Sequence, residues 1–220
     1  KISNSFINKN ELKTALINNL EFKLTNSQSN VISEIQNDLE SDRQMIRLLQ
    51  GDVGSGKTIV ALISILTVIE SGYQATIMAP TSILAYQHFE NISKLLQHLP
   101  IKIDILTGKD KGKNRIEKLN KINKGITQIV IGTHALIQEG VNFNKLGFSV
   151  IDEQHRFGVY QRMAFNYKGF RPSILVMSAT PIPRTLTLAA YGDMDESRLI
   201  DKPLGRKPIK TTSLILKKEK

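Results

Sequence analysis

The 220-residue sequence contains no cysteine and no tryptophan, and only 6% of its residues are aromatic. Without cysteine, the chain can form neither disulfide bonds nor zinc sites with thiolate ligands. No apolar run reaches the roughly 18 residues that indicate a membrane-spanning helix, and the N-terminus lacks the layout of a signal peptide. These absences predict a cytoplasmic protein with no membrane partner.

Basic residues are in excess in this sequence. The 30 Lys and Arg residues outnumber the 20 Asp and Glu residues, which gives a net charge of +10 and a pI near 9.7. Such a balance suits a polyanionic partner such as nucleic acid, but lysine-rich helices on a soluble protein would produce it as well. The charge alone therefore leaves both interpretations open. Because the first residue is Lys and not Met, we also expect a fragment or a processed chain.

Short apolar runs alternate with amphipathic segments along most of the chain. Such runs are typical of strands that are buried on both faces of a parallel sheet, and the segments between them have helical periodicity. Strand and helix in alternation predict an α/β fold with a doubly wound, mostly parallel sheet. The predicted strands are Met45–Leu49, Ala75–Ala79, Ile101–Leu106, Gln128–Ile131, Phe148–Ile151 and Ile174–Met177, and the predicted helices are Thr58–Ser71, Ser82–Leu96, Lys111–Asn123, Gln154–Tyr167 and Arg184–Tyr191.

Three regions are predicted along the chain, and a helix start marks the first boundary. Thr25 and Gln28 have the spacing of a capping box, in which Thr25 is the N-cap and Gln28 is the third residue of a helix that runs to about Glu40. The predicted regions are a helical lead-in over residues 1–24, the main domain over residues 25–202 and a linker over residues 203–220, with a candidate terminal strand at Ile209–Leu216.

A glycine-rich segment follows the first predicted strand and precedes a predicted helix: Gly51-Asp52-Val53-Gly54-Ser55-Gly56-Lys57-Thr58. Glycines let the backbone N–H groups of such a loop curve around phosphate oxygens, and the N-terminus of the helix adds a favourable dipole. Lys57 is expected to reach the β- and γ-phosphates of ATP, and the Thr58 hydroxyl to bind Mg²⁺. A chance match in a glycine-rich turn is the alternative, and the strand–loop–helix setting argues against it.

Two adjacent carboxylates, Asp152 and Glu153, follow another predicted strand. Ligands of open α/β sheets bind where strands end, so Asp152 is expected to hold Mg²⁺ and Glu153 to activate the attacking water as general base. In isolation such a pair is more often a solvated turn, but its position downstream of a phosphate loop favours hydrolysis. The pair also distinguishes a hydrolysing enzyme from a nucleoside kinase, which needs a substrate pocket instead.

Further polar residues lie close to these two segments in the predicted fold. His155 is either a surface or capping histidine or a link between the nucleotide site and a neighbouring loop. That loop is Ser178-Ala179-Thr180, directly after the predicted strand Ile174–Met177. Hydroxyl residues commonly cap helices, so the order and position of these residues, more than their identity, favour a coupling role.

In this order, the motifs resemble those of superfamily 2 helicases over nearly the whole chain from Phe22. Asp152-Glu153-Gln154-His155 resembles the DExH box, Ser178-Ala179-Thr180 resembles motif III, and Phe22 to Gln28 resembles a Q motif, whose glutamine contacts adenine. The resemblance implies a RecA-like P-loop lobe in which Gln28 is structural, adenine-reading or both. Most of the candidate nucleic-acid contacts lie in segments that resemble motifs Ia and Ic. For several of them, the alternative role is to cap the N-terminus of a helix. These candidates are Pro80, Thr81, Gln87, Gly108, Thr133 and His134.

Two longer segments, Asp152–Arg162 and Met177–Leu186, resemble the RecG family of bacterial helicases, and Tyr191-Gly192-Asp193 and Gly205–Ile209 extend the likeness. The transcription-repair coupling factor shares only part of this pattern. The resemblance implies ATP- and Mg²⁺-dependent translocation on branched double-stranded DNA, at forks and Holliday junctions, in bacterial DNA repair and recombination. The lysine-rich segment Lys109–Lys124 is either a DNA-facing patch or a solvated helix.

Two parts of such a helicase are expected outside this chain: a wedge domain before residue 1, and after Lys220 a second RecA-like lobe with the arginine fingers. Since an arginine finger contributes orders of magnitude in rate to related enzymes, the isolated chain is expected to be nearly inactive as an ATPase. The alternatives are a nucleotide-gated nucleic-acid-binding module, an RNA helicase lobe and, more distantly, a P-loop kinase. Intact Lys57 and Glu153 argue against the first of these.

Overall fold

The computed structural model describes residues 4–7, 9–152, 168–169, 171–180 and 194–201. Within these residues, seven strands form one sheet, and every pair of neighbouring strands is parallel. The strands are β1 (Ile46–Gly51), β2 (Gln74–Met78), β3 (Ile103–Leu106), β4 (Ile129–Gly132), β5 (Leu146–Asp152), β6 (Ser173–Ser178) and β7 (Asp195–Leu199). Their order across the sheet is β3-β4-β2-β5-β6-β1-β7.

Two helices, α1 (Glu11–Asn18) and α2 (Asn26–Glu40), precede β1. The helices α3 (Lys57–Glu70), α4 (Ser82–Leu96) and α5 (Gly112–Asn123) connect β1 to β2, β2 to β3 and β3 to β4, and a short 3₁₀ helix (His134–Ile137) follows β4. No described helix has both the length and the apolar character of a membrane span. All six predicted strands are present within a few residues of their predicted bounds. The predicted segments Gln154–Tyr167, Arg184–Tyr191 and Ile209–Leu216 lie outside the described residues.

Two hydrophobic cores, one on each face of the sheet, explain why these segments fold together. Successive strand residues point to opposite faces, so that Leu49 and Val150 join one core while Leu48 and Ile151 join the other. Helices α1 to α4 cover the first face, and α5 and the 3₁₀ helix contribute to the second core. Burial on both faces accounts for the continuous apolar runs in the sequence. The doubly wound α/β prediction is confirmed.

The carboxyl ends of all seven strands lie along one edge of the sheet because the strands are parallel. β1 ends at the glycine-rich loop, β5 at Asp152 and β6 at Ser178, and these three strands are adjacent. β2, β3 and β4 end before Thr81, Gly108 and Thr133 and form the other side of the same edge. β2 and β5 are hydrogen-bonded neighbours at the boundary between the two groups.

Strand β7 was not predicted, because its sequence Asp-Glu-Ser-Arg-Leu has no apolar run. It lies at the edge of the sheet beside β1, and along it the buried Ser197 and Leu199 alternate with the exposed Arg198. Its Ser197 accepts a hydrogen bond of 2.8 Å from the buried Arg47 guanidinium, which also pairs with Glu34 and Asp38 of α2. Polar contacts with α2 and β1, in addition to the burial of Leu199, therefore hold this strand.

The N-terminal lead-in packs against the main domain. Phe6 and Leu16 are buried in the same core as α2 and α3. The Phe6 ring meets the Tyr73 ring edge to face, with their centroids 5.1 Å apart. The Phe6 N–H also donates to the carbonyl of Leu39 at 2.9 Å, so the segment has both polar and apolar contacts with the lobe.

Candidate nucleotide-binding site

The glycine-rich loop turns the chain from β1 into the N-terminus of α3. Gly56 is the N-cap of α3 with φ 89°, and Gly54 has φ 78°, both in the left-handed region that favours glycine. The first N–H groups of an α-helix have no acceptor four residues back in the helix, and its N-terminus carries the positive end of the helix dipole. This geometry is suited to an anion such as phosphate.

Lys57 and Ser55 allow a test of whether the loop fits such an anion. The Lys57 ammonium donates to the carbonyls of Gly51 at 2.6 Å and Asp52 at 3.1 Å, so it lies against its own loop. The Ser55 hydroxyl is buried and has no hydrogen-bond partner within the described residues. A buried hydroxyl without a partner is costly, and a phosphate oxygen would satisfy it. The residues present therefore fit a phosphate group.

Gln28 joins the start of α2 to this loop. Its Oε1 accepts the Thr25 N–H at 2.9 Å and the Thr25 hydroxyl accepts the Gln28 N–H at 3.2 Å, which confirms the predicted capping box. Its Nε2 donates to the carbonyl of Ser55 at 2.8 Å, and the side chain is only 1% exposed. Gln28 thus has a structural role, and its contact with adenine stays a prediction.

The close approach of Gln28 to the loop makes Gly56 a sensitive position. A Cβ on Gly56 would collide with Gln28 Nε2, whereas a Cβ on Gly72, with a similar φ of 78°, would meet nothing within 4 Å. Both substitutions by alanine carry backbone strain of about 1–3 kcal/mol, but only Gly56→Ala also displaces the Gln28 amide from the Ser55 carbonyl of the loop. We expect the nucleotide affinity of Gly56→Ala to fall about tenfold or more, because a change of about 1.4 kcal/mol in binding free energy corresponds to a factor of ten.

Equilibrium binding of a fluorescent ATP analogue, with Gly72→Ala as the matched control, measures this difference. Gly72→Ala is expected to lower thermal stability while its nucleotide affinity stays at the wild-type value. Equal affinities in the two variants would contradict the role assigned to the space around Gly56.

A cavity of about 800 Å³ lies between the loop, the Q-motif segment and α4. Phe22 is 51% exposed beside it, which leaves its ring free to stack on a ligand. Gln87, predicted to contact nucleic acid, also lines this cavity. Its lining includes Glu21, Phe22, Lys23, Gln28, Gly54, Gly56, Thr58, Ile59, Leu84, Gln87, His88, Asn91, Leu95 and Asp152.

Asp152 ends β5 at this cavity, and His88 of α4 holds it. His88 Nε2 lies 2.7 Å from Asp152 Oδ2, and the two side chains are only 14% and 15% exposed. Glu153 and His155 lie outside the described residues. The structure thus brings Gln28, Thr58 and Asp152 together, as expected for a nucleotide and its metal ion.

The segment Ser178-Ala179-Thr180 forms a compact turn after β6. The Ser178 hydroxyl donates to the carbonyl of Thr180 at 3.0 Å, and the Thr180 N–H donates back to it at 3.2 Å. Ala179 lines a second cavity, of about 300 Å³, together with Gly51 and Asp52. The predicted coupling segment therefore adjoins the start of the glycine-rich loop.

The candidate nucleic-acid contacts lie mainly at the ends of β2, β3 and β4. Pro80 precedes Thr81, the N-cap of α4, whose hydroxyl accepts the Leu84 N–H at 3.3 Å. Thr133 is the N-cap of the 3₁₀ helix that begins at the exposed His134. The capping position expected for Thr81 is present, and a nucleic-acid role for these residues stays a prediction.

Gly108 lies in an exposed loop that Asp110 stabilises. Burial raises the Asp110 pKa, but hydrogen bonds from Lys118 and Thr107 outweigh this effect and hold the pKa below its ordinary value of 3.8. A carboxylate with a lowered pKa stabilises the folded state above that value, and the contribution is lost as the pH falls through the folded-state pKa. Because Lys118 points inward to Asp110 at 2.7 Å, it is a structural member of the lysine-rich segment.

Two site contacts were not predicted. His88 directly follows Gln87, but nothing in the sequence indicated a bond with Asp152. Asp201 accepts the Ser27 N–H at 2.7 Å at the start of α2, and this backbone hydrogen bond lowers the Asp201 pKa. The helical spacing of α4 predicts which of its residues share a face, but only the packing of distant segments shows what that face meets.

The sequence matches the family model of the DEAD/DEAH box helicases over residues 25–188. It is 51% identical over 201 residues to the ATP-dependent DNA helicase RecG of Streptococcus pneumoniae, a match that covers 91% of this chain and 30% of the relative. It is 47% identical over 207 residues to Escherichia coli RecG, covering 92% of this chain and 30% of the relative.

A solved structure of RecG bound to a three-way DNA junction is also similar to this chain. The TM-score is 0.83 at 43% identity, over 94% of this chain and 28% of that one. The chain thus spans about 30% of the length of the curated relatives it matches. These likenesses agree with the RecA-like lobe described above and imply nucleotide use. The chain belongs to the DEAD/DEAH box helicase family, in which it is homologous to RecG.

Proposed function

We propose that this chain is the ATP-binding lobe of a helicase that acts on branched double-stranded DNA in the bacterial cytoplasm, in fork rescue, recombination and repair. The observation that carries the proposal is the meeting of Gln28, the glycine-rich loop and Asp152 around one cavity. These groups come from distant parts of the sequence. A P-loop ATP site needs the loop for the phosphates and a carboxylate for Mg²⁺. The 51% identity to a RecG helicase directs the proposal to DNA rather than RNA.

In this proposal, the N–H groups of the glycine-rich loop bind the phosphates of ATP, and Lys57 adds its positive charge. Phe22 stacks on the adenine ring at the open side of the cavity. Gln28 forms a hydrogen bond with the adenine edge. To do so, its Nε2 gives up the hydrogen bond to the carbonyl of Ser55 and donates to the base instead. The same side chain then couples the binding of the base to the conformation of the glycine-rich loop.

Thr58 and Asp152, which both line the cavity, would hold Mg²⁺. When bound, the ion neutralises charge on the phosphate oxygens. Glu153, which follows Asp152 directly, takes the proton of the attacking water. His155 and Ser178-Ala179-Thr180 couple nucleotide binding and hydrolysis to movement in the rest of the motor.

The DNA backbone is proposed to cross the ends of β2, β3 and β4. Backbone N–H groups, hydroxyls and helix N-termini are the usual phosphate contacts, and Pro80, Thr81, Gly108, Thr133 and His134 lie in or beside such positions. Residues 25–202 are proposed as the lobe and residues 203–220 as the linker to a second RecA-like lobe. A wedge domain that grips the branch point is proposed to precede this chain.

Steady-state ATP hydrolysis by the full-length protein tests this function. We expect a three-way DNA junction to stimulate hydrolysis more than linear duplex DNA or RNA of the same length. The apparent affinity for DNA should fall steeply with salt, because phosphate contacts release counterions. Equal stimulation by RNA, or none by DNA, would contradict the proposal.

A further inference from the structure

The contact between His88 and Asp152 joins two segments that are 64 residues apart in the sequence. A carboxylate only accepts hydrogen bonds, so His88 Nε2 carries the hydrogen and donates it to Asp152 Oδ2 across 2.7 Å. The low exposure of both side chains, 14% and 15%, limits competition from water. The bond therefore holds the carboxylate in one orientation.

Only one of the two carboxylate oxygens is used by this bond. Within the described residues, Oδ1 of Asp152 accepts no hydrogen bond, and Asp152 lines the cavity beside Thr58. A ligating carboxylate is commonly fixed by a hydrogen bond from a second residue, and loss of such a partner typically reduces metal affinity or activity about 10- to 100-fold. The arrangement has the form of such a pair.

The helix that carries His88 also connects Asp152 to the candidate nucleic-acid contacts. β2 and β5 are neighbours, with Met78 opposite Ile151, so the helix that follows β2 runs past the end of β5. The N-cap of that helix is Thr81, a candidate nucleic-acid contact. Seven residues of α-helix, about 10 Å, separate Thr81 from His88. One rigid element thus connects the two sides of the sheet edge.

We propose that His88 is a positioning residue for Asp152: it holds the carboxylate in the orientation that receives Mg²⁺ with the nucleotide, and does so from the helix whose first turn is predicted to contact DNA. The inference rests on the proposed function, because it assigns Asp152 to the metal. It assigns no role to His88 in contact with ATP.

The test compares two substitutions of similar volume in the full-length protein. His88→Met lacks an N–H donor, whereas His88→Gln retains one at similar reach. Binding of a non-hydrolysable fluorescent ATP analogue is measured during a titration with Mg²⁺ and again with EDTA. For His88→Met we expect the Mg²⁺ concentration at half-maximal binding to rise about tenfold or more, with the EDTA affinity unchanged. His88→Gln should recover most of the loss.

The exposed His98→Met, the same change beyond the end of α4, serves as the control and should bind as the wild type does. His88→Leu is a second donor-free variant in case His88→Met is unstable. A wild-type Mg²⁺ midpoint in the donor-free variants would overturn the inference, as would an equal loss with Mg²⁺ and with EDTA, or a failure of His88→Gln to recover. If the wild-type protein itself bound nucleotide without any response to Mg²⁺, the proposed function would fail instead.

Discussion

Replacement of Lys57 by alanine is expected to lower kcat for DNA-stimulated ATP hydrolysis about 100- to 1,000-fold, the usual effect of removing one preorganised group that stabilises transition-state charge. The Lys57 ammonium is held by the carbonyls of Gly51 and Asp52, so it already lies within the loop that is to surround the phosphates. Its charge is therefore in place before the γ-phosphate leaves, and no other group of the loop carries a side-chain cation.

Steady-state ATPase assays on the full-length protein with a three-way DNA junction measure this effect. Lys94→Ala removes an exposed lysine from α4 and is the matched control, with an expected kcat close to the wild-type value. A loss of less than about threefold in Lys57→Ala would remove this residue from the catalytic machinery, since it corresponds to less than about 0.7 kcal/mol.

Glu153→Gln is expected to reduce kcat about 100- to 10,000-fold, the range over which a general base contributes to a rate. The side chain keeps its size but can no longer take a proton from water. Nucleotide binding should stay intact, because Lys57, Thr58 and Asp152 are unchanged. This separation of binding from turnover distinguishes Glu153→Gln from a variant with a damaged site.

Single-turnover hydrolysis and equilibrium nucleotide binding, measured on the same preparation, test the prediction. Glu139→Gln makes the same chemical change at an exposed position and should have no effect on either quantity. Full hydrolytic activity in Glu153→Gln would refute its role as base and leave Asp152 as the carboxylate to examine next.

The sequence was a good guide where a local pattern is sufficient. The apolar runs identified six strands because burial on both faces requires continuous apolar residues. Thr25 and Gln28 identified the start of α2 because a capping box is closed within four residues. The glycine-rich loop was recognisable because its backbone geometry requires glycine at fixed positions, two of which have φ values of 78° and 89°.

Strand β7 shows where local patterns are not sufficient. Asp195–Leu199 contains one strongly apolar residue, and nothing in it predicts a strand. It becomes one because β1 offers an open edge and because the Arg47 guanidinium provides a hydrogen bond to Ser197. Pairing of this kind depends on segments about 150 residues away in the sequence, and a local sequence pattern does not show which distant segment lies beside it.

The sequence by itself determined the class of fold, the glycine-rich loop and the chemical identity of Asp152 and Glu153 as an acidic pair after a predicted strand. Only the tertiary structure decided what meets these groups: Gln28 at the carbonyl of Ser55, His88 at Asp152, and Ala179 beside the start of the loop. The reason is that residue types and spacing specify backbone conformation locally, whereas the order of strands in the sheet decides which loops lie next to one another along its carboxyl edge.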